Sequence, residues 1–300
     1  MSKITDALQK AVSEREKQKV IQEQQTTVVP PAQTLKTGKP SIDMVERELL
    51  QKMKVLQGEN AQNKPAAAPK QAVDLTEEMR EKLSKNIVFF NKHVDSVVQD
   101  GFRVIRTNLI TSGRCKSVLV TSATANDGKS FVAVNLAAVM AMAGDKVLLV
   151  DGHIRRPKLA EMFDMENVPG LMEVLIVGSG WRDVMHETPI ANLSFIPSGY
   201  PFKNHIELMG GERMDALLQE WEKEFDTVII DSCPISGEAD SLMLATKTKG
   251  VVLAIKMNKT YKEATIYAKN ALKRVNAKIL GFVLTDVKSF IPKFISKIVG

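Results

Sequence analysis

The 300-residue sequence holds only two cysteines, Cys115 and Cys233. That excludes a disulfide framework as the source of stability and suits a reducing cytosol. Aromatic residues are scarce: two tryptophans and three tyrosines, Tyr200, Tyr261 and Tyr267. No aromatic–basic platform of the kind that stacks nucleic-acid bases is present, so no nucleic-acid partner is expected. Long apolar runs are also missing. The longest, Phe131 to Ala143, is interrupted by Asn135 and too short to span a bilayer. The N-terminus MSKITDALQK has no apolar core of signal-peptide type, and the expectation is a soluble or peripheral chain. Neither charge sign dominates strongly. Lys and Arg number 41 against 35 acids, giving +6 and a pI near 9.1. That mild excess is compatible with a phosphorylated ligand, an anionic membrane surface or solvated lysines alone. Apolar residues, at 44%, suffice for a sizeable core in one large domain or two small ones.

Texture divides the chain into three parts. Residues 1–74 form an N-terminal extension. Its first stretch, 3–25, is rich in Lys, Glu and Gln, with Ile4, Leu8 and Ala11 at helical spacing. A proline-broken linker follows, then a segment capped by Ser41, then a second linker at 60–72. Such helices bury little alone; a mobile tail with transient helices and a docking segment are the two readings. Residues 75–288 read as globular, with apolar strands at 117–123, 146–152, 193–199, 226–232, 250–256 and 278–287. Helices are predicted between them at 129–143, 156–164, 170–177, 205–223, 238–247 and 260–276, with Gly144 closing the first. Alternation of strand and helix predicts an α/β fold, an open and mostly parallel sheet with helices on both faces. Residues 289–300 form a basic amphipathic tail. Phe290, Ile291, Phe294, Ile295, Ile298 and Val299 share one helical face, flanked by Lys288, Lys293 and Lys297. It reads either as an interfacial membrane helix or as a terminal helix packed on protein.

Chemistry concentrates where strands end. After the first strand comes Ser122-Ala123-Thr124-Ala125-Asn126-Asp127-Gly128-Lys129-Ser130, followed by Phe131 and an apolar helix. Backbone N–H groups of such a turn, and of the helix it opens, face phosphate oxygens. Lys129 supplies a compact positive charge to the terminal phosphates, and Ser130 a hydroxyl to Mg²⁺. The glycine expected at the loop's start is missing, with Ala123 in its place. Asp151 and Asp231 each follow a buried apolar run, which puts them at the carboxyl ends of their strands, where open α/β sheets bind ligands.

Together these residues resemble the bacterial tyrosine kinases, P-loop proteins of capsule and exopolysaccharide systems. Their A-x-P-G-E-G-K-S loop is matched by Ala123 to Ser130, their D-x-D-x-R motif by Asp151-Gly152-His153-Ile154-Arg155, and their D-x-x-P motif by Asp231 to Pro234. Their E-x2-R-x2-R self-association motif is matched by Asp100, Arg103 and Arg106, before Thr107-Asn108. A later stretch, Gly199 to Leu208 with Asn204 and Glu207, matches as well. The resemblance covers roughly residues 95–287, and the N-terminal part resembles exosortase-associated tyrosine autokinases. The sequence departs from the pattern in several places. Ala125 stands for a proline, Asn126 for a glycine, and Asp127 for a glutamate; Asn is the non-glycine residue that best tolerates a left-handed turn. His153 stands where the family has an acid near the metal and the reacting phosphate, and no C-terminal tyrosine cluster is present.

The resemblance implies a P-loop NTPase fold and an ATP-dependent protein-tyrosine autokinase that regulates exopolysaccharide or capsule production. Thr124, Ala125, Asn126, Asp127, Gly128, Lys129, Ser130 and Phe131 are the expected ATP contacts. Ser130, Asp151 and Asp231 are the expected Mg²⁺ ligands, with Lys129, Asp151 and Asp231 as catalytic residues. Asp151 is the candidate to orient or deprotonate the acceptor hydroxyl. Arg155 and Arg156 face phosphate, a neighbouring subunit or a structural acid. Asp100, Arg103 and Arg106 lie on one helical face, for ring-like self-association or simply for solvent. A membrane polysaccharide chain-length or export protein is the expected partner, at the cytoplasmic face of the plasma membrane. The competing readings are a catalytically weakened ATPase or nucleotide switch of the same system, and a MinD/ParA-type positioning ATPase. That last class carries an extra lysine early in the loop, where this chain has Thr124.

Overall fold

The computed structural model describes residues 77–94, 96–111, 113, 115–237 and 239–287, all within one unit, Leu49–Gly300. The readings for residues 1–74 and 289–300 lie outside the described residues. Two helices come first, α1 (Glu77–Ser84) and α2 (Ser96–Thr111). Then follow β1 (Ser117–Ser122), α3 (Lys129–Met142), β2 (Val147–Asp151), α4 (Leu159–Phe163), α5 (Leu171–Val177), β3 (His186–Glu187) and β4 (Leu193–Ile196). The chain continues through α6 (His205–Gly210), α7 (Glu212–Glu224), β5 (Thr227–Asp231), α8 (Asp240–Lys247), β6 (Gly250–Lys256), α9 (Lys262–Arg274) and β7 (Ile279–Thr285).

The seven strands form one sheet in the order β3-β4-β2-β5-β1-β6-β7, parallel except where β3 meets β4. The central strands β1, β2 and β5 are buried along their whole length because both faces are covered, which is why their middles are apolar. Leu148, Val150, Val228 and Ile230 point into the layer built from α5, α7, α8 and α9. Val147, Leu149, Val118 and Val120 point into the opposite layer, with α1, α2, α3 and α4. Among the described residues no helix is long and apolar enough to cross a membrane.

Pattern and structure differ in two instructive places. The predicted helix over 205–223 breaks into α6 and α7, because Gly211 is extended at φ −75°, ψ 167° and starts the second helix. The helix predicted over 156–164 shrinks to α4, since Pro157 precedes it and the Lys158 and Leu159 N–H groups are drawn to Asp151. Most important for the site, β1 and β2 are parallel but not neighbours: β5 lies between them. That order brings the end of β5 between the end of β1 and the end of β2, with Asp151 and Asp231 in register.

Candidate active site

The loop between β1 and α3 is built around one acid. Asp127 is fully buried and accepts from the Thr124 N–H at 2.7 Å and the Thr124 hydroxyl at 2.8 Å. The Thr260 hydroxyl, from the turn after β6, donates to the same carboxylate at 2.8 Å. The loop is gripped from the same side twice more. Lys259 donates to the Ala125 carbonyl at 2.9 Å, and the Thr285 hydroxyl donates to the Asp127 carbonyl at 2.7 Å. Asn126 adopts φ 62°, the left-handed region foreseen for it. Gly128 has φ 89°, a backbone conformation that favours glycine, and a Cβ there would crowd Thr285 Cγ2 at 3.1 Å. α3 begins at Lys129 and presents the N–H groups of its first turn at this point. The Phe131 side chain turns away from the loop and packs edge-to-face on Phe102, with centroids 6.0 Å apart.

Lys129 reaches across the ends of β5 and β2. Its ammonium donates to Ser130 Oγ at 3.1 Å, meets His153 Nδ1 at 3.2 Å and stands 3.9 Å from Asp231 Oδ2. Both Asp231 oxygens are buried without a hydrogen-bond partner. Burial raises the Asp231 carboxyl above the usual range, opposed by the charge of Lys129 and by Ser130. Asp151 is equally buried but differently used. Its Oδ1 accepts from the His153 N–H at 3.0 Å, and its Oδ2 from the Lys158 and Leu159 N–H groups at 3.1 and 3.0 Å. Burial first, then the Asp231 charge, push Asp151 up to about 7. Oδ2 is filled by two donors, and Oδ1 keeps one lone pair. The expected metal ligands therefore separate: Ser130 and Asp231 face Lys129, while Asp151 anchors the segment that carries His153. Gly152 permits the close approach, since a Cβ there would fall 2.7 Å from the Asp231 carbonyl.

The His153 imidazole is lowered to about 3, by burial first and then by Lys129, Arg156, Lys158 and Arg155. An ammonium offers only donors, so the ring nitrogen it meets carries the lone pair and the proton sits on Nε2. Arg155 lies 3.8 Å from Asp240, whose Oδ2 also meets His205 Nε2 at 2.7 Å. That is the structural ion pair among the alternatives for Arg155; Arg156 is exposed. Asp100 and Arg103 pair at 2.6 Å on the exposed face of α2, whereas Arg106 points to Asp145 at 4.0 Å. Motif reading missed Lys259, Thr260 and Thr285. Their signal was position, just past the carboxyl ends of β6 and at that of β7, where this class of sheet places ligand-binding groups.

The chemistry of the donor set suits a phosphate-borne cation. Among the described residues no group of three or more His, Cys, Asp or Glu forms a metal cage. A buried carboxylate that accepts no hydrogen bond, beside a hydroxyl and a lysine, instead offers one or two protein oxygens, with the remainder left to phosphate and water, which is how Mg²⁺ is usually held.

Comparison with known proteins agrees with this geometry. Residues 118–282 match the AAA domain family. The chain is 34% identical over 210 residues to the tyrosine-protein kinase YwqD of Bacillus subtilis (strain 168), covering 69% of this chain and 88% of that protein. It is 32% identical over 195 residues to the putative tyrosine-protein kinase CapB of Staphylococcus aureus, covering 64% and 86%. The crystal structure of the chimerical protein CapA2B2 superposes with a TM-score of 0.65 at 27% identity, covering 71% of this chain and 99% of that one. With the loop, both strand-end acids and the strand order in place, the chain belongs to the bacterial tyrosine-protein kinase family, built on an AAA-type P-loop domain.

Proposed function

We propose that this protein binds ATP with Mg²⁺ at residues 123–131 and transfers its terminal phosphoryl group to tyrosine, within an exopolysaccharide or capsule system. One observation carries the reading: Lys129, Ser130 and the buried Asp231 carboxylate, which accepts no hydrogen bond, converge where the loop opens into α3. Bound Mg²⁺·ATP would supply the electrophilic phosphorus and the charge that draws electrons toward the leaving ADP. Lys129 then neutralises charge on the terminal phosphate oxygens. Ser130 and Asp231 would hold the cation in register with the loop. The N–H groups at the start of α3 orient the phosphates, and Asp127 keeps the loop in the shape that aims them. Asp151 fixes the backbone at His153; the single lone pair left on Oδ1 is the one it has for an acceptor hydroxyl.

All three tyrosines, Tyr200, Tyr261 and Tyr267, are exposed and so available as acceptors in trans. The kinase names of the relatives support the phosphotransfer, and the chimerical relative supports a companion protein of the same system. Self-association through the exposed Asp100–Arg103 face and a peripheral membrane position belong to the same proposal. The second reading, a nucleotide switch with weak phosphotransfer, is favoured by the imidazole that stands beside Lys129 in place of an acid. Incubation of the purified chain with ATP and Mg²⁺, followed by phosphotyrosine detection and phosphate release, separates the two. Phosphotyrosine that disappears in Lys129→Ala supports the kinase. Phosphate release without phosphotyrosine supports the switch. No bound nucleotide refutes both.

A further inference from the structure

Lys129 would be expected to pair with the carboxylate nearest to it, yet its ammonium lies closer to an imidazole. His153 Nδ1 is 3.2 Å away, Asp231 Oδ2 3.9 Å. The imidazole is not there by accident of packing. Asp151 accepts the His153 N–H, Gly152 lets that backbone lie against the Asp231 carbonyl, and the histidine is buried. Among the described residues its one ring hydrogen bond is to Lys129, through Nδ1.

We propose that His153 is a positioning residue for Lys129: a neutral acceptor that holds the lysine at the phosphate end of the site without cancelling its charge. The inference rests on the nucleotide-binding reading given above and adds what decides its dependence on metal. A carboxylate at this place would hold the lysine equally well but would neutralise it. It would also set a second negative charge beside the incoming phosphates, next to Asp231. Nucleotide would then enter only with a divalent cation to offset both acids. An imidazole removes one of those charges. Lys129 keeps its full charge toward the ligand and gives up a hydrogen bond to a neutral partner when phosphate arrives, rather than breaking an ion pair. The second ring nitrogen, Nε2–H, is a donor, a polarity that also favours phosphate oxygen over metal. The site is therefore one that takes up a nucleoside di- or triphosphate with little help from Mg²⁺.

The test is a fluorescence titration of the full chain with N-methylanthraniloyl-ADP, once in excess Mg²⁺ and once in EDTA. The ratio of the two dissociation constants is the readout. Unlike either constant alone, it is not moved by a general loosening of the fold. In the unaltered protein the ratio is expected to stay within about threefold, and in His153→Asp to rise by about 10- to 100-fold, the effect of one added charge a few ångströms from phosphate in a partly screened site. His153→Asn, which keeps a neutral acceptor for Lys129 and a donor on the same group, is expected to restore the small ratio. A His153→Asp protein whose ratio equals that of the unaltered protein, while Lys129→Ala has lost binding, overturns the inference and leaves the nucleotide-binding reading intact. A large ratio already present in the unaltered protein overturns it too. Absence of binding in both conditions overturns both.

Discussion

Asp127 is where the loop's shape is most exposed to test. It is fully buried and accepts three hydrogen bonds, at 2.7, 2.8 and 2.8 Å, from Thr124 N–H, Thr124 Oγ1 and Thr260 Oγ1. A hydrogen bond to a charged group contributes about 1.5–3 kcal/mol, so three total roughly 5–9 kcal/mol. Removing the carboxylate also removes the cost of keeping a charge out of water, several kcal/mol. The difference leaves Asp127→Ala destabilised by about 2–4 kcal/mol. For a domain of this size that lowers the melting temperature by about 5–15 °C. Nucleotide affinity should fall by about tenfold or more, because the N–H groups are no longer held toward one point. Asp127→Asn keeps an acceptor for the Thr124 N–H, and both hydroxyls can rotate to accept from its amide, so the cost shrinks to about 1 kcal/mol. Thr260→Val removes one donor and should fall between the two. The assay is a thermal melt paired with a nucleotide titration on each variant. An Asp127→Ala protein that melts and binds like the unaltered one would refute the loop-anchor argument, since nothing else in the loop could replace a buried acceptor of three bonds.

Further outcomes follow from the charges and the core. The raised carboxyl of Asp151 binds a proton in the folded state that the unfolded chain has released. Its contribution to stability is therefore full below 3.8 and lost as pH rises through about 7, with Asp231 acting in the same sense. His153 works oppositely: its contribution is present above 6.5 and lost as pH falls toward about 3. Between those limits each group contributes a slope of up to about 1.4 kcal/mol per pH unit. Urea unfolding at several pH values should show stability rising more with pH in Asp151→Asn, and falling more in His153→Asn, than in the unaltered protein. Trp221 is buried with its indole N–H unpartnered, whereas Trp181 donates to Glu220 at 2.9 Å and packs on Trp221 and Phe225. Trp221→Phe should therefore cost about 1 kcal/mol or less in chemical denaturation, and Trp181→Ala about 3–5 kcal/mol. Arg103→Ala should leave stability within about 0.5 kcal/mol, its ion pair being exposed, yet shift sedimentation toward smaller species. An unchanged sedimentation profile would remove that face from the self-association proposal.

The fold class was legible from alternation alone. Strand 250–256 coincides with the residues found, because a strand covered on both faces is apolar over its buried stretch, here Gly250 to Ala254. Gly144, with φ 97°, ends α3 as its position foretold. Boundaries set by partners outside the segment were not legible. α4 starts late because its N–H groups go to Asp151, seven and eight residues earlier, and β3 is two residues long, too short to show a period.

The sequence by itself determined which residue types meet the strand ends: a loop closing in Gly128-Lys129-Ser130, acids at Asp151 and Asp231, and a histidine two places beyond the first acid. Those choices are local, written in adjacent residues and in the burial that an apolar run demands. Only the tertiary structure decided how they are shared out. The insertion of β5 between β1 and β2 leaves Asp231 facing Lys129, commits Asp151 to backbone N–H groups and lays His153 against the lysine. The grip of Lys259, Thr260 and Thr285 on the loop likewise joins residues more than 130 positions apart in the chain. No spacing rule reaches that far, because strand order depends on which edges pair across the whole sheet, and pairing is settled by the packing of every layer at once.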